Sequence, residues 1–351
     1  MEIKINFFEL ITSNSKEFMS KTHFSSDRRR WLGALLATQF VGGLPTVRAA
    51  QFPDKPIRLI VPFPAGGGVD VFARPLAPAL SEVLGVPVLI ENVGGAASRI
   101  GTQRVTGSQA DGYTLLLTND TLVASDAVAS AAAERVLLPA LKPVTLAITS
   151  CNLFVASPKS GITDPASYLE QLKAKQGKLS IGTPGWGTAH HLTSAALNYQ
   201  LGVEAEHVPY RGGAPLLNDV LNGTVDAGVV TMAAALGHIK AGTLVGVGVT
   251  SKQRASALPD VPTFDESIAP GFTHQTWQGL LAPVSTPDAV VERLHAAVLQ
   301  ALKHPMVQER LPSQGFDAEG LSSQRFADVL DGSYRNFSTV VKATGITASA
   351  A

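Results

Sequence analysis

Two glycine-rich stretches carry most of the chemistry that this sequence offers. The first is Pro62-Phe63-Pro64-Ala65-Gly66-Gly67-Gly68-Val69-Asp70. The second is Gly182-Thr183-Pro184-Gly185-Trp186-Gly187-Thr188. Each follows an apolar run and precedes a helical pattern. A helix N-terminus presents unpaired N–H groups and about half a positive charge. Glycines let a ligand come close to that backbone, so the pair makes an anion site that needs no Lys or Arg. Two such loops on two domains could clamp one small anion. For either loop alone, a tight turn is the competing reading. Neither is a nucleotide motif: no Gly-Lys-Ser/Thr follows the first, and the second lacks the third glycine of a dinucleotide fingerprint.

Other residues carry weaker signals. Asp70 could cap the helix after the first loop or meet an amino group. Arg211, in Val208-Pro209-Tyr210-Arg211-Gly212-Gly213, could hold a carboxylate with two hydrogen bonds or stand in solvent. Asp226 precedes an apolar strand and reads equally as a turn residue. Trp186 could stack on a ligand ring or shield the surface beside a hinge. His190 and His191 are adjacent, so they point to different faces of a helix, and no third metal ligand has suitable spacing. No Gly-x-Ser-x-Gly elbow supports a hydrolase, and no cofactor motif is present.

These residues need elements to position them. Ile57–Val61, Val86–Ile90 and Tyr113–Leu117 read as buried strands, and Leu153–Ala156, Leu179–Gly182, His207-Val208, Ala227–Val230 and Leu244–Val249 continue the series. Between them, Phe72, Leu76, Leu80, Val83 and Leu84 recur at helical spacing up to Gly85, and further helices are expected over 165–174, 189–200, 214–222 and 233–241. Strands alternating with helices predict parallel α/β sheets. Pro75 and Pro78 inside the first helix suggest that it starts later or is kinked. The last part, 287–302 and 323–343, reads as two long amphipathic helices.

Composition excludes several classes. The chain has 351 residues with 28 Lys+Arg, 28 Asp+Glu and a single Cys. Hydrophobic residues make up 45% and charged residues 16%, which is too apolar and too balanced for a disordered chain. No basic excess points to nucleic acid, and one cysteine builds no disulfide scaffold. The length suits two domains of about 150 residues. Residues 1–50 hold seven Lys/Arg and four acids, leaving 21 basic and 24 acidic residues beyond them. Arg28-Arg29-Arg30, a short weakly apolar run and Val47-Arg48-Ala49 follow the order of an export signal, with cleavage expected after Ala49 and a Tat-like twin arginine. Met19 is a second candidate start.

The chain beyond residue 50 resembles the substrate-binding proteins of tripartite tricarboxylate transporters, the Bug family. The stretches that carry the resemblance run in the family's order. They include Phe52–Arg58, Val61–Asp70, Glu91-Asn92, Ala110–Leu116, Gly187-Thr188 with His191-Leu192, His207–Gly212, Gly223–Asp226, His238–Gly242, Ala257–Thr263 and Pro270–Phe272. The resemblance implies a type II periplasmic-binding fold: two α/β domains joined by crossing segments, with a ligand cleft between them. The expected division is 1–49 as export signal, 50–152 with 273–351 as domain 1, and 153–272 as domain 2. It also implies that Phe63, Ala65, Gly66, Gly67 and Gly68, with Thr183, Gly185, Trp186, Gly187 and Thr188, grip a ligand carboxylate, mostly through backbone N–H groups and water. The segment Thr118-Asn119-Asp120-Thr121 would line the cleft, and Tyr210, Arg211 and the stretch from Asp226 would approach from domain 2. Two departures stand out. Val93-Gly94-Gly95-Ala96-Ala97-Ser98 replaces the family's Arg-Pro-Gly-Ala-Gly-Gly, and 131–141 lacks the usual Asp-Pro.

The expected function is therefore capture of a small organic carboxylate by a periplasmic, monomeric protein that passes it to membrane transporter subunits, with no catalysis, cofactor or metal. A sensor that docks on a signalling partner is the alternative on the same fold. An exported carboxylate-processing enzyme is a third.

Overall fold

The computed structural model describes residues 52–131 and 136–347. The expected export signal and its cleavage site lie outside the described residues, as do 132–135 within the second departure.

The first half of the chain runs β1 (Ile57–Val61), α1 (Gly68–Leu84), β2 (Val88–Asn92), α2 (Arg99–Thr106), β3 (Thr114–Asn119), α3 (Thr121–Ala131) and β4 (Leu141–Ala156). Next come α4 (Pro165–Lys175), β5 (Ser180–Thr183), α5 (Ala189–Leu201), β6 (Glu206–Pro209), α6 (Gly213–Asn222), β7 (Ala227–Thr231), α7 (Met232–Lys240) and β8 (Val245–Val249). The chain then returns through β9 (Gln275–Pro283), α8 (Asp288–Leu302), α9 (Pro305–Ser313), β10 (Asp317–Leu321) and α10 (Ser323–Thr344).

The sheet is mixed rather than parallel throughout. Strand order is β2-β1-β3-β9-β4-β7-β5-β6, with β8 and β10 also on β4. β1 pairs β2 and β3 in parallel, and β5 pairs β6 and β7 in parallel. The two parallel sets meet through antiparallel β9 and β4. β4 has 16 residues and serves both sets. It pairs β9 up to Cys151 and β7 from Asn152 onward. The other crossing follows β8. Asn152 N–H donates to Thr250 Oγ1, and Thr250 N–H returns to Asn152 O, both at 3.1 Å. Thr250 Oγ1 donates to His274 O, and His274 N–H donates to Thr250 O, both at 2.7 Å. Both crossings are thus sewn together at one place.

Apolar periodicity explains the layers. Ile57, Leu59 and Val61 on one face of β1 bury against α1, α8 and α9, while Ile60 and Leu116 join α3, α5 and α10 on the other. α10 buries Phe326, Leu330, Phe337, Val340 and Val341, the stripe expected of an amphipathic helix. It packs on α3 and on α5, so it touches both parallel sets. α1 starts at Gly68, directly after the loop, with Pro75 and Pro78 inside it. Pro75 is buried with Phe72, Leu76, Ala79 and Leu80 in the apolar face, and that packing offsets the lost backbone bonds.

The departure Val93–Ser98 is a strained bend. Ala96, Ala97 and Ser98 all have positive φ (46°, 47° and 74°), which costs a non-glycine residue about 1–2 kcal/mol each. Two of these three positions are glycines in the family's pattern. α2 then sits hard on the sheet: a Cβ on Gly101 would stand 2.6 Å from Val93 O and 2.7 Å from Pro62 Cβ. Gly101→Ala should therefore lower stability by about 1–3 kcal/mol, seen as a lower urea midpoint at unchanged slope. A wild-type midpoint would show that α2 can move away without cost.

Candidate functional site

The first loop ends in open amides. In the first turn of α1, the N–H groups of Gly68, Val69 and Asp70 have no acceptor among the described residues, and the first ladder bond is Val71 N–H to Gly67 O. Asp70 does not face a ligand amine. Its carboxylate accepts from Gly66 N–H at 2.9 Å, from Asn92 Nδ2 at 3.0 Å and from Arg74 at 3.0 Å. Burial pushes its pKa up, but those hydrogen bonds outweigh burial and hold the carboxyl below its ordinary value. Asp70 therefore shapes the loop. Asn92 adds a second tie by donating to Phe63 O at 3.2 Å. Ala65 and Gly66 are exposed at the loop tip, and Phe63 is half-buried against the core.

The second loop is more fully bonded than an anion site needs. Thr188 caps α5 and accepts from His191 N–H at 3.3 Å. Gly187, at φ +69°, donates its N–H to His191 Nδ1 at 3.2 Å. Ala189 N–H reaches Thr121 Oγ1 at 3.3 Å, a bond from one parallel set to the other. In the first turn of α5, only His190 N–H lacks an acceptor among the described residues. Thr183 Oγ1 shares a 2.7 Å hydrogen bond with His207 Nε2, and the Gly185 carbonyl accepts from Thr188 Oγ1 at 2.8 Å.

Trp186 is engaged within the protein. Its indole N–H donates to Thr347 O at 2.9 Å, and its ring lies 4.5 Å from that of His191. His191 and His207 stack at 3.7 Å with planes 5° apart. Burial lowers the pKa of His191 to about 3, with help from His207, and that of His207 to about 4. The second loop thus rests on two neutral imidazoles.

The loops meet across the two sets. A Cβ on Gly68 would stand 2.8 Å from Thr231 Cβ, at the end of β7. A Cβ on Gly212 would stand 3.1 Å from Pro64 Cγ. Between the loops lies a buried polar group. Asp120 Oδ2 accepts from His274 Nε2 at 2.8 Å, Gln278 Nε2 donates to Gly68 O at 3.2 Å, and His190 Nε2 bonds Thr231 Oγ1 at 3.2 Å. Asn119, whose Oδ1 accepts from Thr121 N–H, stands opposite Gln278 in the β3–β9 ladder. Thr118 is fully buried and its hydroxyl has no partner among the described residues.

Not every expected residue comes here. Asp226 sits at the start of β7, at the opposite strand end from the loops. It accepts from Ser180 N–H at 2.9 Å and pairs with Lys175, so it joins strand starts, whereas Thr231, five residues on, lies against Gly68 of the first loop. Tyr210 gives its hydroxyl to Asp219 at 2.7 Å, and burial and that carboxylate push its pKa up to about 12. Its main chain braces the second loop, with Tyr210 N–H on Thr183 O. Arg211 is exposed. Asn152, His190 and Gln278 were not expected as site residues. The signal for Asn152 and Gln278 was a lone amide inside an apolar strand, Cys151-Asn152-Leu153 and Trp277-Gln278-Gly279.

Protonation of His191 and His207 is resisted only in the folded state. Their folded pKa values lie below the ordinary 6.5, so the unfolded chain binds more protons between about pH 6.5 and 4. Stability from this pair is complete above pH 6.5 and falls as pH drops through that window. The melting temperature should decline from pH 6.5 to 4, and decline less in His207→Gln; equal pH slopes would contradict this.

Comparison with known proteins agrees with the geometry. Residues 72–346 match the model of the tripartite tricarboxylate transporter family receptors. The chain is 33% identical to protein BugT of Bordetella pertussis over 81% of this chain and 87% of that one. Among solved structures, periplasmic binding protein BugD superposes with a TM-score of 0.78 at 30% identity, covering 84% of this chain and 99% of that one. MatC from Rhodopseudomonas palustris, solved with bound malate, superposes with a TM-score of 0.77 at 29% identity, covering 83% and 100%. The chain has the two-domain α/β fold of periplasmic binding proteins and belongs to the tripartite tricarboxylate transporter receptor family, alongside the Bug proteins.

Proposed function

We propose that this protein captures a small organic carboxylate between its two domains in the periplasm and delivers it to the membrane subunits of a tripartite transporter. The observation that carries the reading is the set of unpaired Gly68, Val69 and Asp70 amides facing the other domain across Thr231. Such amides prefer a negative oxygen, and the helix dipole adds to the preference. Similar proteins support the class of ligand: MatC was solved with malate, and a second R. palustris protein, 27% identical with a TM-score of 0.79, with adipate.

Domain 1 comprises residues 50–152 and 273–351, and domain 2 residues 153–272. The change of ladder partner at Cys151–Asn152 and the bonds joining Asn152, Thr250 and His274 support these limits. Closure brings Pro64 to Gly212 and Gly68 to Thr231, so a ligand touching both loops favours the closed form. The protein acts as a monomer, without cofactor or metal, and does not turn its ligand over. Cys151 is no nucleophile: burial pushes its thiol up to about 12. No helix among the described residues is long and apolar enough to cross a membrane, which suits export by the N-terminal signal.

A thermal-shift screen of C4–C6 dicarboxylates, citrate, acidic amino acids and aromatic acids tests the reading. A ligand at about 1,000 times its Kd adds about 4 kcal/mol. A rise confined to carboxylates is expected, and a flat response to the whole panel would contradict it. Gly68→Val should weaken the best binder at least tenfold, because the side chain would collide with Thr231 (an effect of about 1.4 kcal/mol or more). Gly67→Val should act less, since a Cβ there meets only Pro64 O at 3.4 Å. Equal affinities of Gly68→Val and wild type would rule out closure at this contact.

A further inference from the structure

Unpaired acceptors lie at the meeting of the two domains. Asp120 is 1% exposed; Oδ2 takes the His274 N–H, and Oδ1 has no donor among the described residues. Gln278 is 2% exposed; its Nε2 donates to Gly68 O, which fixes which end of the amide is nitrogen, and Oε1 has no donor among the described residues. Asn152 is fully buried; its Nδ2 reaches the Thr193 hydroxyl at 3.4 Å, and the other end of the amide has no partner among the described residues. A buried polar atom without a partner costs about 1–3 kcal/mol, and native proteins keep few. Two of these, Asp120 Oδ1 and Gln278 Oε1, are fixed as acceptors, and they call for a group that donates hydrogen bonds. A carboxylate alone donates none.

These groups are tied to the open amides. Gln278 holds the carbonyl of Gly68, whose N–H begins the unpaired set of α1. Asp120 directly follows Asn119, which stands opposite Gln278. Asn152 stands opposite Thr231, which abuts Gly68 and bonds His190. Asp120 also acts electrostatically on His190: burial lowers the pKa of that imidazole to about 4, and the carboxylate opposes the shift.

Building on the carboxylate reading above, we infer that the captured acid carries a hydroxyl or ammonium group close to a carboxylate, and that Asp120 with Gln278 reads that donor. The specificity of the cleft is then set by a substituent as well as by the anion. A site whose buried acceptors expect a donor discriminates against an analogue that lacks it, because the acceptors stay unpaired.

Calorimetric titration of the purified chain with matched trios tests this. The trios are succinate, malate and aspartate; glutarate, 2-hydroxyglutarate and glutamate; adipate, 2-hydroxyadipate and 2-aminoadipate. In at least one trio the hydroxy or amino acid should bind at least about tenfold tighter than its parent, and the tighter of the two names the donor. Gln278→Met and Asp120→Asn should reduce that preference, read as the ratio of the substituted acid's affinity to its parent's within each variant, to about threefold or less. If Asp120→Asn fails to fold, Gln278→Met alone decides. Parents that bind as tightly as their substituted partners, or a preference that survives in the variants, would overturn the inference and leave carboxylate binding intact. Failure of all nine acids to bind would overturn the inference, and a flat response to the wider thermal-shift panel as well would overturn both.

Discussion

An α-helix begins with amides that its own ladder cannot satisfy, and here the first turn of α1 leaves three of them open beside another domain. Much of the surrounding structure serves that arrangement. Asp70 turns back to hold Gly66, and Asn92 ties the loop to the end of β2, so the amides are fixed before any anion arrives. Gly68 must lack a side chain for Thr231 to approach. A preformed anion site costs little ordering when it is filled, and ordering is a large part of what binding must overcome.

The second constraint is the shared strand. β4 runs through both sheets, and its residue at the change of partner is Asn152 rather than an apolar one. That position, with Thr250 and His274, forms a hydrogen-bonded crossing. Bonds of this kind hold the crossing segments in register. α10 packs on α3 and α5, and Thr347 accepts the Trp186 N–H, so the C-terminal segment also spans the two domains. The second loop therefore acts less as a bare anion cradle than as a wall braced by stacked imidazoles.

The sequence made the alternating elements legible because buried parallel strands and amphipathic helices leave strong periods. The limits of α5 and α8 and the αL stop at Gly85 were readable in this way. β9 and β10 were not, since one carries Gln278 and Gly279 and the other is largely exposed. The length of β4 was hidden too, because Lys142, Pro143 and a run of Thr and Ser interrupt its pattern. Both glycine loops were visible as composition, but which of their amides stay open depends on partners far along the chain, such as Thr121 for Ala189. Asp226 and Trp186 show the same limit. Each is the kind of residue that ligands use, and each is engaged by residues that only the fold brings near. The buried acceptors at Asn152 and Gln278 were isolated polar residues in apolar strands, a pattern that marks a special position without naming its task.

The central claim is that the open amides of α1, with His190 across the cleft, hold a carboxylate. Its most direct test is an NMR titration of 15N-labelled protein with the carboxylate that raises the melting temperature most. Saturable downfield shifts of the Gly68, Val69, Asp70 and His190 amide protons are predicted, as expected of N–H groups that gain a charged acceptor. If the same ligand binds and these four amides stay in place while others move, the carboxylate is held elsewhere and the assignment of the site is wrong.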